Sequence, residues 1–463
     1  MCGLAVGCAH FEPQPLAPAQ AASALESRAL DDPGLAAFLE KNLPRDAAAG
    51  PARAWDFERL TLAAFYYHAD LEVARAQWGV AQAAIQTAGG RPNPSVSVTP
   101  ALNFSHVNAA PGLSPWMPAI SFDVPLETAG KRGHRIAQAR QLSESARLNL
   151  AATAWHVRAG VRASLLDNAA ARRRETLLQG RISIQQQIVA MLDQQIQAGA
   201  MAGSEVVTFR IALQKTQLEL ADAQRERAES RARLAESIGV PVRALEGVEL
   251  PVDFPENAAA ASLTSGEMRR QALLGRADIL AALADYAAAQ SALQLEIARQ
   301  YPDVHFSPGY QFDQGDNVWS LGLTVELPVL NQNQGPIAEA AAKRIEAAAR
   351  FNALQAKVLA DIDSAVESFR ATEKSLALLQ DLAVSQAKSR DAIQAQVSAG
   401  AAVPLDLLNA QLEFAAAEEG QLEAQVKRQQ SLAALEDAVQ RPIEMITPGV
   451  IETSPTATKE KKP

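Results

Sequence analysis

Residues 120–125 read Ile-Ser-Phe-Asp-Val-Pro, and residues 323–328 read Leu-Thr-Val-Glu-Leu-Pro. In both, apolar residues take every second position and polar ones fall between, the period of a strand with one greasy and one polar face. The two stretches lie 203 residues apart, and other pairs accompany them. Pro94-Ser-Val-Ser-Val98 and Pro302-Asp-Val-His-Phe306 are 208 residues apart, as are Ala81-Gln-Ala-Ala-Ile85 and Ala289-Gln-Ser-Ala-Leu293 before them. Gly199-Ala-Met-Ala-Gly-Ser-Glu205 and Gly400-Ala-Ala-Val-Pro-Leu-Asp406 are 201 apart. Offsets that shrink slowly along a chain mark a tandem duplication with small loop deletions. Two repeats are therefore expected, at 55–245 and 263–445. A linker at 246–262 joins them, a segment at 1–54 precedes them, and a tail at 446–463 reads as disordered.

Each repeat has one order of elements. A helix is expected over about 56–87, or 267–299 in the second copy, from apolar and alanine positions three and four apart. Two strands follow. Val96 and Val98 alternate with Ser95, Ser97 and Thr99, and Leu321, Leu323, Val325 and Leu327 alternate with Ser320, Gly322, Thr324 and Glu326. Then come stretches from Gly130 to Gly199 without proline, and from Gly335 to Gly400 with only Pro336, at a first helical position. Helices of that length span about 100 Å at 1.5 Å per residue and need coiled-coil packing rather than a globular core. After the turns at Gly199 and Gly400, a returning helix of roughly 35 residues is expected in each copy.

Composition narrows the chemistry. The chain has 463 residues, is 48% hydrophobic and only 5% aromatic, and carries a net charge of −9. Three conventional cores are not expected from so few aromatics, and a nucleic-acid partner is not expected from an acidic chain. The two cysteines, Cys2 and Cys8, both lie at the start, which excludes a thiolate metal site or a cysteine nucleophile in the body. His10, His68, His106, His134, His156 and His305 show no ligand spacing. No catalytic constellation and no cofactor site is read, so the chain is expected not to be an enzyme. No run of 18 apolar residues occurs, so no transmembrane helix is expected.

Leu4-Ala5-Val6-Gly7-Cys8 resembles the box that ends a bacterial lipoprotein signal, with Cys8 as the acylated residue and Ala9 after it suiting the outer membrane. Ala5 replaces a larger aliphatic, and there is no room for a basic region and full apolar core. A start codon upstream of Met1 is expected on this reading. Residues 10–51, rich in Pro and Ala, are expected to run extended along a surface.

Four amphipathic strands cannot close a barrel, and an open sheet in lipid leaves backbone groups unpaired. If the strands enter a membrane, three chains supply twelve. The order helix, two strands, long helix, turn and returning helix, performed twice, resembles the TolC-type outer membrane efflux channels. Arg91-Pro-Asn-Pro94, Pro125-Leu-Glu-Thr-Ala-Gly-Lys-Arg-Gly-His-Arg135 and Pro328-Val-Leu-Asn-Gln-Asn-Gln-Gly-Pro336 are similar to the branch serving heavy-metal pumps of the resistance-nodulation-division class. The resemblance implies a mainly α chain whose homotrimer forms a twelve-stranded transmembrane β-barrel on a long α-barrel. It implies a passive gated conduit, with a periplasmic adaptor and an inner-membrane pump as partners. A drug-efflux or type I secretion channel fits the same architecture, and a periplasmic coiled-coil scaffold lipoprotein is the rival of another class.

The turns would form the periplasmic tip. Gly199 and Gly400 permit backbone angles that end a helix. Glu205 and Asp406 stand where a helix dipole favours acids, which leaves helix capping and a cation-attracting constriction both open. Asp193 and Asp391, just before the turns, are further tip candidates. Lys131, Arg132 and Arg135 begin the first long helix, where positive charge opposes the dipole and asks for a partner: lipid phosphates at the membrane edge, or an acid of a neighbouring helix.

Overall fold

A computed structural model describes residues 10–43, 55–103, 114–251 and 265–442. Cys2, Cys8, His106 and the tail lie outside them, as does most of the linker. In chain order the elements are α1 (Pro18–Glu26), α2 (Pro33–Asn42), α3 (Phe57–Tyr67), α4 (Ala69–Ala88), β1 (Ser95–Thr99), β2 (Ala119–Leu126), α5 (Lys131–Gln197) and α6 (Val206–Ile238). The second half follows with α7 (Ser265–Gly275), α8 (Ala277–Ala298), β3 (Val304–Asp313), β4 (Asp316–Val325), α9 (Gln334–Ser398) and α10 (Pro404–Val439). A single 3₁₀ turn, Val242–Leu245, follows α6.

Three expectations change. The described part of residues 10–51, residues 10–43, does not run simply extended: Pro18 and Pro33 sit in the first turn of α1 and α2, where the missing N–H costs nothing, and Asp32 accepts from the Gly34 and Leu35 amides. The helix before each strand pair is broken into two, at His68 and Arg276, both with extended backbone. Strand β3 continues through Ser307-Pro308-Gly309 to Asp313, beyond the alternation visible at Val304 and Phe306.

The chain forms two compact units. One takes the described residues within 1–69, 156–258 and 367–435, and the other those within 70–155, 259–366 and 436–463, so α5, α9 and α10 each contribute to both. In the first unit Ile188, Leu192, Val206 and Leu408 form a buried cluster joined by Met191, Ile196, Phe209, Leu405 and Leu412. In the second, Leu148 packs on Ala281 and Ala284, small residues that allow close helix approach.

The second unit also carries the sheet, a four-stranded antiparallel meander in the order β1-β2-β3-β4. Its register sorts side chains cleanly. Val96 pairs with Phe122, Ile120 with Tyr310, Phe306 with Leu323, Pro308 with Leu321 and Tyr310 with Trp319, all on one face. Ser97 pairs with Ser121, Ser121 with Gly309, His305 with Thr324 and Gly309 with Ser320 on the other. The apolar face is bare: Trp319 is 80% exposed, Leu321 71% and Leu323 68%. No described helix is long and apolar enough to cross a membrane.

Candidate functional site

Two regions hold the residues singled out by the sequence. The first is the pair of turns in the first unit. Gly199 and Gly400 both have positive φ, 73° and 74°. Behind each, the Ala200 and Ala401 amides donate to the Gln195 and Gln396 carbonyls at 2.9 and 2.8 Å, while the Gly199 and Gly400 amides donate to Ile196 and Val397. This is the double bond of a Schellman cap, formed identically in both copies.

The acids differ where the glycines agree. Asp406 lies in the first turn of α10 and its Oδ2 accepts from the Val403 amide at 3.4 Å, a weak version of the return bond of a capping box. Glu205 precedes α6 with helical backbone and makes no side-chain cap bond. Asp193 holds Arg210 at 2.7 Å, tying the end of α5 to the start of α6. Asp391 pairs with its neighbour Arg390 at 2.7 Å, and that guanidinium lies 4.3 Å from the centre of the Phe414 ring. A cavity of about 410 Å³ opens beside them, with Arg181, Gln394 and Glu418 also on its wall. Arg181 itself bridges Glu219 and Glu419 at 3.2 and 3.4 Å.

The second region is the junction of strands and long helices in the second unit. Here the opposed charge of Lys131, Arg132 and Arg135 finds partners within the chain. Lys131, 7% exposed, donates to Asp303 at 2.7 Å, and Asp303 also accepts from the Thr128 amide at 2.9 Å. Arg132 donates to the Gly89 carbonyl at 2.7 Å, and Arg135 to Gly90 at 3.2 Å and Glu127 at 3.0 Å. Gly89 and Gly90 follow the end of α4, where orphan carbonyls and the negative end of the dipole welcome a guanidinium. The acids come from the segments flanking β2 and β3 rather than from a neighbouring helix. Asp303 is 172 residues from Lys131 in sequence, a separation that no local pattern reveals.

Above this junction, on the polar sheet face, Asp123 accepts from Ser307 at 3.3 Å and lies 3.0 Å from His305 Nδ1. Asp123 and His305, with Thr324, Glu326 and Lys131, border a cavity of about 400 Å³. Among the described residues no group of three or more His, Cys, Asp or Glu is placed to hold a metal ion.

The sequence pattern of the outer membrane efflux proteins matches residues 47–240 and 268–439. This chain belongs to the outer membrane efflux protein family. Membership places it in the outer membrane. The family member is 26% identical over 215 residues to the cobalt-zinc-cadmium resistance protein CzcC of Cupriavidus metallidurans, a match covering 46% of this chain and 50% of that protein. The chain thus spans about half the length of the curated relative it matches. In fold it is similar to the outer membrane protein VceC of Vibrio cholerae, with a TM-score of 0.67 at 19% identity over 84% of this chain and 96% of that one. It is similar also to CusC, with a TM-score of 0.65 at 17% identity over 83% and 91%.

Proposed function

We propose that this efflux-family chain is the outer membrane conduit of a tripartite resistance-nodulation-division exporter and that its cargo is heavy-metal cations. The observation that carries the conduit is the sheet: one face is apolar except for Asn317 at its end and is largely exposed, the other is lined by Ser97, Ser121, Asp123, Ser307 and Thr324. An isolated sheet with that face in water is unfavourable by about 25 cal/mol per Å² of apolar surface. In lipid the same face is solvated, but the free edges of β1 and β4 then require neighbours. Three copies closing twelve strands satisfy both demands and turn the polar face toward a water-filled lumen. Cargo rests on the name of the relative CzcC and on acids at the turns, Glu205 and Asp406, which triple in a trimer and attract cations. A periplasmic adaptor and an inner-membrane pump supply the energy that a passive pipe lacks, Cys8 carries the lipid, and the chain performs no chemistry.

Purified protein in planar bilayers tests the conduit: stepwise cation-selective conductance is expected. Glu205→Gln with Asp406→Asn is expected to move the reversal potential in a salt gradient toward zero. Restoring metal tolerance, but not drug tolerance, to cells lacking the native gene tests the cargo. A protein that gives no conductance overturns the conduit, and drug tolerance restored in place of metal tolerance overturns the cargo.

A further inference from the structure

The helix pairs before the strands break at one register. His68, between α3 and α4, has φ −69° and ψ 127°, and Arg276, between α7 and α8, has φ −66° and ψ 129°. They stand 208 residues apart, the offset of the surrounding repeat, and their contexts correspond: His68-Ala69-Asp70-Leu71 against Arg276-Ala277-Asp278-Ile279. In the second copy the arginine caps the returning helix. Arg276 Nη1 donates to the carbonyls of Asp437 at 3.0 Å and Ala438 at 2.6 Å in the last turn of α10. Asp278 holds the same guanidinium by two bonds of 3.0 and 2.7 Å. The Asp437 carbonyl also accepts from the Gln440 amide at 3.3 Å, and both carbonyls sit at the negative end of the helix dipole, where a guanidinium is a fitting donor.

The first copy has histidine in line, and an arginine arrives from elsewhere. Arg28, between α1 and α2, donates through Nη1 to the Tyr67 carbonyl at 2.7 Å and to the Gly239 carbonyl at 2.9 Å, where α6 ends. Its guanidinium lies 5.4 Å from the Tyr67 ring centre, and the Tyr67 hydroxyl donates to the Ala29 carbonyl at 2.9 Å. Gly239 has φ 85°, and a Cβ there would lie 3.0 Å from the Tyr67 carbonyl oxygen, so the two carbonyls approach this closely only because the residue is glycine. Its counterpart 201 residues on, Gln440, shares the positive φ, and its side chain accepts from the Ala277 amide at 3.0 Å.

We infer that each break is a guanidinium-binding socket at the end of the returning helix, on different carbonyls in the two copies, filled by Arg276 from within the second repeat and by Arg28 from the amino-terminal segment in the first. Residues 18–43 are then a strap that occupies a binding site on the helical body. Its hold is concentrated around the key residue: Leu30 and Leu35 are buried and Phe38 meets Tyr66 at 5.5 Å, whereas α1 has no buried residue at all. The contact of the end of α3 with the end of α6 thereby depends on a segment outside either repeat.

The substitution His68→Arg tests this in the full-length protein, because it restores the in-line arginine. In Arg28→Ala, hydrogen exchange is expected to quicken at least tenfold both in residues 27–39 and at the end of α6 with its cap, residues 235–240. Adding His68→Arg is expected to return the α6 end to near its native rate and leave the strap loose. His68→Arg alone, which still carries Arg28, is expected to displace the strap and open Lys41 to trypsin. Unchanged exchange in Arg28→Ala, or a double variant whose α6 end stays as loose as in the single, overturns the inference. None of these readouts depends on channel formation.

Discussion

Asp278 shows how a single carboxylate reports the socket it serves. Burial pushes its acid upward, but the two bonds from Arg276 and the Ile279 amide outweigh burial and hold it below the ordinary 3.8. A carboxylate depressed in the folded state stabilises fully above its unfolded value, and that contribution fades as pH falls through the native one. The melting temperature is therefore expected to drop with acid below about pH 4, and Asp278→Asn is expected to flatten that part of the curve. At neutral pH the variant loses bonds to a charged group and is expected to be less stable by about 1.5–3 kcal/mol. Gly199 and Gly400 offer a cleaner strain measurement. Nothing lies within 4 Å of a Cβ built at either, so alanine there introduces backbone strain without a clash. Each alanine is expected to cost about 1 kcal/mol in urea unfolding, equally in both copies because both caps have the same bonds. Unequal costs would mean that the turns differ in ways their matched hydrogen bonds do not reflect.

Among the elements, the two strand-to-helix junctions differ between repeats. After β2 the chain is pinned by Glu127 to Arg135 and by Thr128 to Asp303. After β4 it runs through Leu327, Val329 and Leu330, which are 73, 77 and 97% exposed. Leu327 continues the sequence alternation of Leu321 and Leu323, so an exposed apolar stretch carries on past the strand toward α9. In a barrel this puts Leu330 at the inner-leaflet boundary, and Leu330→Trp in vesicles is expected to emit at shorter wavelength and to be quenched by lipids brominated near the headgroup. Emission and acrylamide quenching like those of free tryptophan in water would contradict that placement. Trp319→Phe removes the most exposed native tryptophan of the face from the background signal.

What was legible at this scale followed period and length. Val96, Val98, Ile120, Phe122 and Val124 betray strands because one face is solvated differently from the other, and the proline-free stretches after Gly130 and Gly335 betray helices by their extent. The breaks at His68 and Arg276 stayed hidden, because one extended residue does not disturb an alanine-rich helical pattern on either side. Ser307-Pro308-Gly309 hid the middle of β3 for the opposite reason: proline and glycine usually end a strand, but here their faces are set by pairing with Leu321 and Ser320. The turn residues Gly199, Gly400, Glu205 and Asp406 were visible from repetition alone. Of the partners of Lys131, Arg132 and Arg135, Glu127 stands eight residues before Arg135 in the same stretch, whereas the Gly89 and Gly90 carbonyls carry no sequence signature and Asp303 belongs to the other repeat.

For the molecule as a whole, the edge strands decide what the chain must become. Within the described chain β1 pairs only with β2 and β4 only with β3, so each presents a row of unpaired N–H and C=O groups beside an exposed apolar face. Such an edge is a template for another strand, and burying it in lipid unpaired costs several kcal/mol per group. If three copies close a barrel, β1 of one copy pairs with β4 of the next, and that seam is the weakest place to cut. Along β1 alternate residues aim their N–H groups at β2 and away from it, so of the two substitutions Ser97→Pro and Val98→Pro one deletes a bond within the chain and the other a bond across the seam. Both are expected to keep the helical circular dichroism, because the helices do not depend on β1. The seam-breaking variant is expected to lose the trimer that resists mild heating in detergent, and to lose conductance with it, while the other weakens the sheet internally and retains more trimer. Two variants with intact trimers and native conductance would mean that β1 does not meet a neighbour, and the exposed face of the sheet would then need a different cover.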